Sequence, residues 1–233
     1  MYHPFSVPDT IKTAWYLLKR NFAVIAIYSI IGFLTIGVMG FAFYFVLDSN
    51  IEASIGIVVI LFVISFIFLG FIKLIFQLID REYYDFDFAD IVPKLKMMYS
   101  YLLLLIIVST LSVFITHAIE SLEKGLAQSI LGIVVWIFFQ FFFLFYFPIC
   151  ACFIVDDSSG PFESVAQSFR LIQGNFIKYF LLFLLIESMV FIGTATVIGM
   201  LFVIPFVNII LVVAYRKLIY SHQDIDDDLS ETK

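Results

Sequence analysis

The chain has 233 residues, 63% of them apolar and only 14% charged, with a mean hydropathy of +1.08; a soluble domain carries about 45–50% apolar and about 25% charged residues, so this much apolar surface has no place in a water-soluble fold of that length. The formal charge of −6 says nothing about a cationic partner, because five of the nineteen acids (Asp224, Asp226, Asp227, Asp228 and Glu231) sit in the last ten residues and no basic face for nucleic acid occurs. Soluble enzymes and nucleic-acid binders are excluded, and the fold class that remains is all-α, a polytopic transmembrane helix bundle.

The first element in chain order is an amphipathic segment. Ile11, Ala14, Trp15 and Leu18 fall at i, i+3, i+4 and i+7 on one stripe, after a helix start at Ser6-Val7-Pro8-Asp9. A charge-free run over about residues 22–47 follows, long enough to cross a hydrocarbon core of about 30 Å. It is too long for the apolar core of a cleavable signal, so it is expected to stay as the first span. A second run covers about 53–79. The stretch after it keeps Phe88, Ile91, Val92 and Leu95 on a stripe, but Pro93 would break a helix starting at Phe88. The third span covers about 97–117. The fourth covers about 125–150 in an apolar run that continues to Val155, so tilt or a break at Pro148 is expected. Cys150 and Cys152 lie at its end, one residue apart. A disulfide between them is geometrically strained and two ligands make no metal site, so they read as packing residues.

A second amphipathic segment has Phe162, Val165, Ala166, Phe169 and Ile172 on one stripe, with Pro161 near its start, Glu163 in its first turn and Gly174 past its end. The apolar stretch from Tyr179 to Tyr215 is interrupted only by Glu187. As one helix it would be about 55 Å long, nearly twice the core thickness. Two spans are expected instead, about 176–197 and 201–220, turning near Gly193, Gly199 and Pro205. Residues 1–220 then form one integral membrane domain, and 221–233 an acidic cytoplasmic tail.

Six spans place both termini on one side. Lys12, Lys19, Arg20, Lys73, Arg81, Lys94, Lys96, Arg170, Lys178, Arg216, Lys217 and Lys233 fall on that side, against Lys124 alone on the other. Cationic loops mark the cytoplasmic face, so both termini are expected in the cytoplasm of a multi-pass cell-membrane (inner, or cytoplasmic, membrane) protein.

An internal repeat is also legible. A shift of 154 residues superposes Ile11 on Val165, Trp15 on Phe169, Leu17 on Leu171 and Leu18 on Ile172, and Asn21-Phe22 on Asn175-Phe176. The middle unit is degraded, with Ser100-Tyr101 in the Asn-Phe place. The expected architecture is three hairpins, each preceded by a cytoplasmic interfacial amphipathic helix. Trp15, Lys19, Arg20, Phe169 and Arg170 are the candidates for contact with lipid headgroups. The plainer reading, that these helices cap the bundle, is favoured over specific lipid binding.

The stretch Val155-Asp156-Asp157-Ser158-Ser159-Gly160-Pro161-Phe162-Glu163-Ser164-Val165-Ala166-Gln167-Ser168-Phe169-Arg170, then Gly174-Asn175-Phe176, with the later Ile198-Gly199, Ile204-Pro205 and Ala214-Tyr215, carries a family resemblance over roughly residues 145–220. It resembles a broad group of bacterial six-helix membrane proteins of uncharacterised function, which includes the membrane domain attached to some glycerophosphodiester phosphodiesterases. The resemblance implies a bacterial cytoplasmic-membrane protein. The phosphodiesterase barrel itself is absent from this sequence, so its activity does not carry over.

Within the spans, Glu187 is the first functional candidate, about nine residues beyond Lys178 and so near the bilayer midplane. It reads either as a proton-coupling group or as a neutral acid bonded to Gln140, Thr194 or Ser188. Gln140 and Asn208 could join it in the bundle interior, although structural glue is the plainer role for both. Lys73 is expected to snorkel to the interface. Asp156-Asp157 suits turn and cap chemistry, and His117 with Glu120 an interfacial pair rather than a zinc site. No catalytic motif occurs, and no cofactor or metal is expected. The expected partners are the lipid bilayer and a membrane-protein partner or a second copy of the chain. The expected role is non-enzymatic support of transport, envelope maintenance or a membrane complex. The rival readings are a proton- or solute-coupled transporter using Glu187 and an intramembrane lipid-modifying enzyme.

Overall fold

A computed structural model describes residues 5–46, 50–80, 88–122 and 125–231. Among them every regular element is helical: α1 (Val7–Arg20), α2 (Phe22–Val46), α3 (Asn50–Asp80), a 3₁₀ turn (Phe88–Ile91), α4 (Leu95–Glu120), α5 (Leu126–Phe141), a π-helical turn (Phe142–Tyr146), α6 (Phe147–Asp156), α7 (Pro161–Gln173), α8 (Phe176–Gly193) and α9 (Val197–Glu231). Six segments are long and apolar enough to cross a bilayer: Phe22–Phe43, Gly56–Asp80, Ala89–Glu120, Leu126–Asp156, Phe176–Gly193 and Gly199–Ser221. The chain is a multi-pass, all-α membrane protein, folded as three hairpins: α2 with α3, α4 with the α5–α6 rod, and α8 with α9.

The return helix of each hairpin turns inward. α3, α6 and α9 pack on one another, while α2, α4 and α8 flank them. In its most apolar stretch α9 is 56% buried, against 11% for α2. Burial is also uneven along the axis. Leu69, Ile72, Ile75, Ile149, Ile154, Leu182, Ile210 and Leu218 are buried at the end that holds α1 and α7. Toward the other end Val38, Val113, Phe114, Ile133, Phe191 and Phe202 are exposed on the outside. The bundle is therefore closed at the end that holds α1 and α7, and its exposed apolar outer face is suited to lipid tails.

Helices in lipid gain nothing from excluding water from one another, so close contact between small groups decides where they meet. Gly193 faces Val203 across the α8–α9 turn, where an added Cβ would lie 2.7 Å from the valine Cγ2. Thr196 closes that turn by accepting the Gly199 N–H at 2.9 Å. At Gly70 the absence of a Cβ admits the Tyr28 hydroxyl, which donates to the Ile67 carbonyl at 2.9 Å and ties α2 to α3.

The expected break near Pro148 takes the form of the π turn at Phe142–Tyr146. Pro148 has no N–H and its ring crowds the carbonyl four residues back, that of Leu144. The Tyr179 hydroxyl enters this turn and donates to the Phe145 carbonyl at 3.1 Å, so a polar group loosened in the membrane finds a partner on α8.

Some boundaries and faces differ from the sequence reading. The fourth span runs to Asp156 rather than about 150, because the π turn keeps the rod continuous. The α9 backbone stays helical to Glu231, through most of the expected tail at 221–233. The middle amphipathic segment is a single 3₁₀ turn before Pro93; residues 81–87 lie outside the described residues. α1 and α7 are present but turned. α1 buries Thr10, Ala14, Leu17 and Leu18, while Trp15 is 48% exposed; α7 buries Ser164, Ser168, Leu171 and Ile172, while Phe162, Ala166 and Phe169 face outward. Small side chains allow α1 to lie flat on α9 and α7 on α6, and the hydroxyls are satisfied within their own helices, Thr10 on Ser6 and Ser164 on Pro161. The large aromatics are left at the rim.

Candidate functional site: a charged cavity at the closed end

At the closed end of the bundle α3, α6 and α9 meet around a cavity of about 560 Å³. α3 contributes Lys73, Phe76, Gln77 and Asp80, spaced i, i+3, i+4 and i+7 on one face. The 3₁₀ turn and the start of α4 bring Asp90, Lys94 and Met97; Val155, Asp156 and Ser158 come from the α6 end and Arg216 from α9. Ser158 stops α6 with a left-handed backbone, φ 55°, a conformation that glycine usually supplies at a helix end.

Arg216 is the centre of the arrangement. Its Nη2 donates to Asp80 Oδ2 at 3.0 Å and its Nη1 to Asp156 Oδ2 at 3.2 Å, so one guanidinium ties α3 and α6 to α9. The guanidinium lies over the Phe76 ring, 4.6 Å from its centroid. The Tyr215 hydroxyl donates to the same Asp156 oxygen at 3.0 Å, and the Tyr215 ring meets Phe153 edge-on at 4.9 Å. A planar, five-donor cation suits this role, since its rigid fork spans two carboxylates while its flat face lies on a ring, a geometry that a compact ammonium does not reproduce. The side chains of Arg216 and Asp156 are each 21% exposed and that of Asp80 38%, so the network lies at the edge of the core, where its charges are partly solvated. Gln77 Oε1 and Arg216 Nε are buried without a hydrogen-bond partner among the described residues.

Around this centre, Lys73 does more than reach the interface: its Nζ donates to the Val92 carbonyl at 2.9 Å and fixes the 3₁₀ turn against α3. Lys217 bonds Asp9 and, at 3.0 Å, the Thr13 hydroxyl, locking α1 to α9 at the same end. Asn175 donates to the Ser221 hydroxyl at 3.3 Å, joining the α7–α8 corner to α9.

The residues singled out from sequence are dispersed. Asn208 donates to the Ile204 carbonyl of its own helix at 2.9 Å and lines a cavity of about 220 Å³ among α2, α3 and α9. Gln140 is exposed on α5. Glu187 is half-buried on α8 and has no hydrogen-bond partner among the described residues. Its expected partners are bonded elsewhere, Ser188 to Leu184 and Thr194 to Phe191. Trp15, Lys19, Arg20, Phe169 and Arg170 are exposed; Lys19 lies 5.0 Å over the Trp15 ring, and Phe169 packs 4.1 Å from Tyr146. His117 and Glu120 pair at 3.6 Å on the surface, at the far end of α4 from the charged cavity. Cys150 and Cys152 are buried free thiols, and the Sγ of Cys150 lies 3.1 Å from the Ser168 hydroxyl.

Sequence reasoning assigned Asp156 to turn chemistry, used Arg216 only to orient the chain, and gave Asp80 no role. The structure corrects this by joining the three. The available signal was positional: each lies near the same end of a different hairpin's membrane-spanning return stretch. Among the described residues no group of three His, Cys, Asp or Glu is arranged to hold a metal. The arrangement can fix three helices in one geometry and present charges of both signs to a bound polar group. Comparison with known family models, curated proteins and solved structures finds no match to the chain.

Proposed function

We propose that the chain is a non-enzymatic protein of the bacterial cytoplasmic membrane, built from three related units with both termini in the cytoplasm, that supports transport, envelope maintenance or a membrane complex. One observation carries this reading: the charged groups gather at a closed end tied by Arg216, whereas Glu187, Gln140 and Asn208 share no cavity. A solute path would need polar groups along the bundle, and a hydrolytic site would need a nucleophile beside a base. A lipid-modifying site would need polar groups convergent near one interface, and Asp156 and His117 sit at opposite ends of the bundle.

The repeat is supported by burial. Thr10 and Ser164, Ala14 and Ser168, Leu17 and Leu171, and Leu18 and Ile172 are all buried and stand 154 residues apart. The cytoplasmic placement of the closed end is supported by its cations, Lys73, Lys94, Lys178, Arg216 and Lys217 among them. Exposed Trp15, Lys19, Arg20, Phe169 and Arg170 at the rim suit anionic headgroups.

The test has two arms. Single cysteines at Lys19 and Arg170, in a Cys150→Ala/Cys152→Ala background, should react with an impermeant reagent only from the cytoplasmic side, and one at Ser121 only from outside. Lys19 and Arg170 reacting from opposite sides would end the threefold scheme. Isolation in native lipid with mass spectrometry should then return a reproducible, stoichiometric protein partner; a bound small solute would favour transport instead. That second reading rests on Glu187, an acid within a span that has no hydrogen-bond partner among the described residues. Glu187→Gln should insert and melt like the parent, and loss of a pH-dependent growth or uptake phenotype in this variant alone would establish the transporter.

A further inference from the structure

The charged cavity and an apolar groove are lined by the same two segments, α3 at Lys73-Leu74 and the 3₁₀ turn at Asp90-Ile91, and together they order three chemistries along α3. The groove, about 460 Å³, lies between α2 and α3, with Ile27, Ile31 and Thr35 on one wall and Val63 and Phe66 on the other; Leu74 and Ile91 close it. Lys73 and Asp90, the sequence neighbours of those two residues, open the charged cavity. Asp80 stands seven residues beyond Lys73 on the same face of α3, about 10 Å further along the axis.

Charge is divided unevenly along that path. Lys73 and Lys94 stand with Asp90 at the mouth, leaving one positive charge in excess. At the inner end Asp80 and Asp156 share Arg216, leaving one negative charge in excess. The Arg216 and Tyr215 bonds to these carboxylates all land on Oδ2, so the Oδ1 atoms receive none of them. Between Lys73 and Asp80 lies Gln77, whose Oε1 is a buried acceptor with no partner among the described residues. A ligand that matches this order has an apolar chain, then an anion, then a cation that carries hydrogen-bond donors.

We propose that groove and cavity form one binding site for a phospholipid with a primary-amine headgroup, its acyl chain along α2 and α3, its phosphate at Lys73 and Lys94, and its ammonium toward Asp80, Asp156 and Gln77. The site rests on the reading of the chain as a membrane protein and is independent of which side is cytoplasmic. A trimethylated amine has no N–H for the waiting acceptors. A headgroup with only negative charge meets two carboxylates at the inner end. The surrounding bilayer supplies the ligand, so selectivity rather than bare affinity is the signature.

Full-length protein, purified in mild detergent and stripped of lipid, is titrated with phosphatidylethanolamine, phosphatidylcholine and phosphatidylglycerol of identical acyl chains, with binding read by native mass spectrometry. Phosphatidylethanolamine should saturate one site at least about tenfold more tightly than either competitor, a ratio equivalent to about 1.4 kcal/mol. Lys94→Gln should weaken it severalfold without moving the melting temperature, since that side chain is exposed and bonded to no other side chain among the described residues. Ile27→Trp, which fills the groove from α2, should weaken it as well. Equal binding of the three lipids overturns the proposal, as does indifference to both substitutions. Soluble glycerophosphoethanolamine should compete poorly; competition as strong as the intact lipid would show that the groove holds no chain and overturn the site as proposed. Failure of the membrane reading would register separately, as loss of insertion in the labelling experiment.

Discussion

Replacing Arg216 with alanine removes the cation that ties α3 and α6 to α9. Asp80 and Asp156 would be left facing each other without their shared counter-charge, Phe76 would lose the guanidinium above it, and Tyr215 alone would still donate to Asp156. Removing one partner of a fully buried ion pair costs about 3–5 kcal/mol, and exposed pairs contribute about 0–1 kcal/mol. Here the arginine and one aspartate are 21% exposed and the other aspartate 38%, so an intermediate cost of about 2–3 kcal/mol is expected. At about 2–4 °C per kcal/mol for a chain of this size, the melting temperature should fall by roughly 4–12 °C. The chain carries its own reporter. Cys150 and Cys152, its only cysteines, are buried in α6 beside this network, so a thiol-reactive fluorogenic dye reads opening of the closed end on heating. Arg216→Lys should rescue little, because a compact ammonium has neither the planar fork that spans both carboxylates nor the flat face that lies on Phe76. An Arg216→Ala protein that melts with the parent, or an Arg216→Lys protein that melts fully like it, would show that the network does not hold the helices together.

Two further substitutions probe the small-residue contacts. Gly193→Ala should cost about 1–3 kcal/mol through the clash with Val203, and adding Val203→Ala should restore most of it; a lone Gly193→Ala without effect in the same dye assay would place the α8–α9 contact elsewhere. Ala14→Leu and Ser168→Leu, at positions 154 residues apart, should each cost about 1–3 kcal/mol and raise hydrogen exchange in α1 and α7 respectively. If only one of the two helices loosens, the two units are not equivalent.

The spans were legible because a bilayer demands apolar runs of a given length, and these survive any detail of packing. The turn at Gly193–Gly199, the break ahead of Pro148 and the pairing of His117 with Glu120 were legible for a related reason: each is a local property of a few consecutive residues. The faces that α1 and α7 bury were not legible. Hydrophobicity marked Trp15 and Phe169, yet in a medium where both faces of a helix are welcome, the size of the side chain selects the contact. Ala14 and Ser168 are small enough for close approach and the aromatics are not.

By itself, then, the amino-acid sequence determined that the chain lies in a membrane, about how often it crosses, and where its helices turn. Tertiary structure alone decided that α3, α6 and α9 form the centre, and that Asp80, Asp156 and Arg216 meet there across separations of 136 and 60 residues. The reason is that a charge near the end of a span satisfies the interface equally well alone or paired. Only the inward turn of all three return helices brings these side chains within hydrogen-bonding distance.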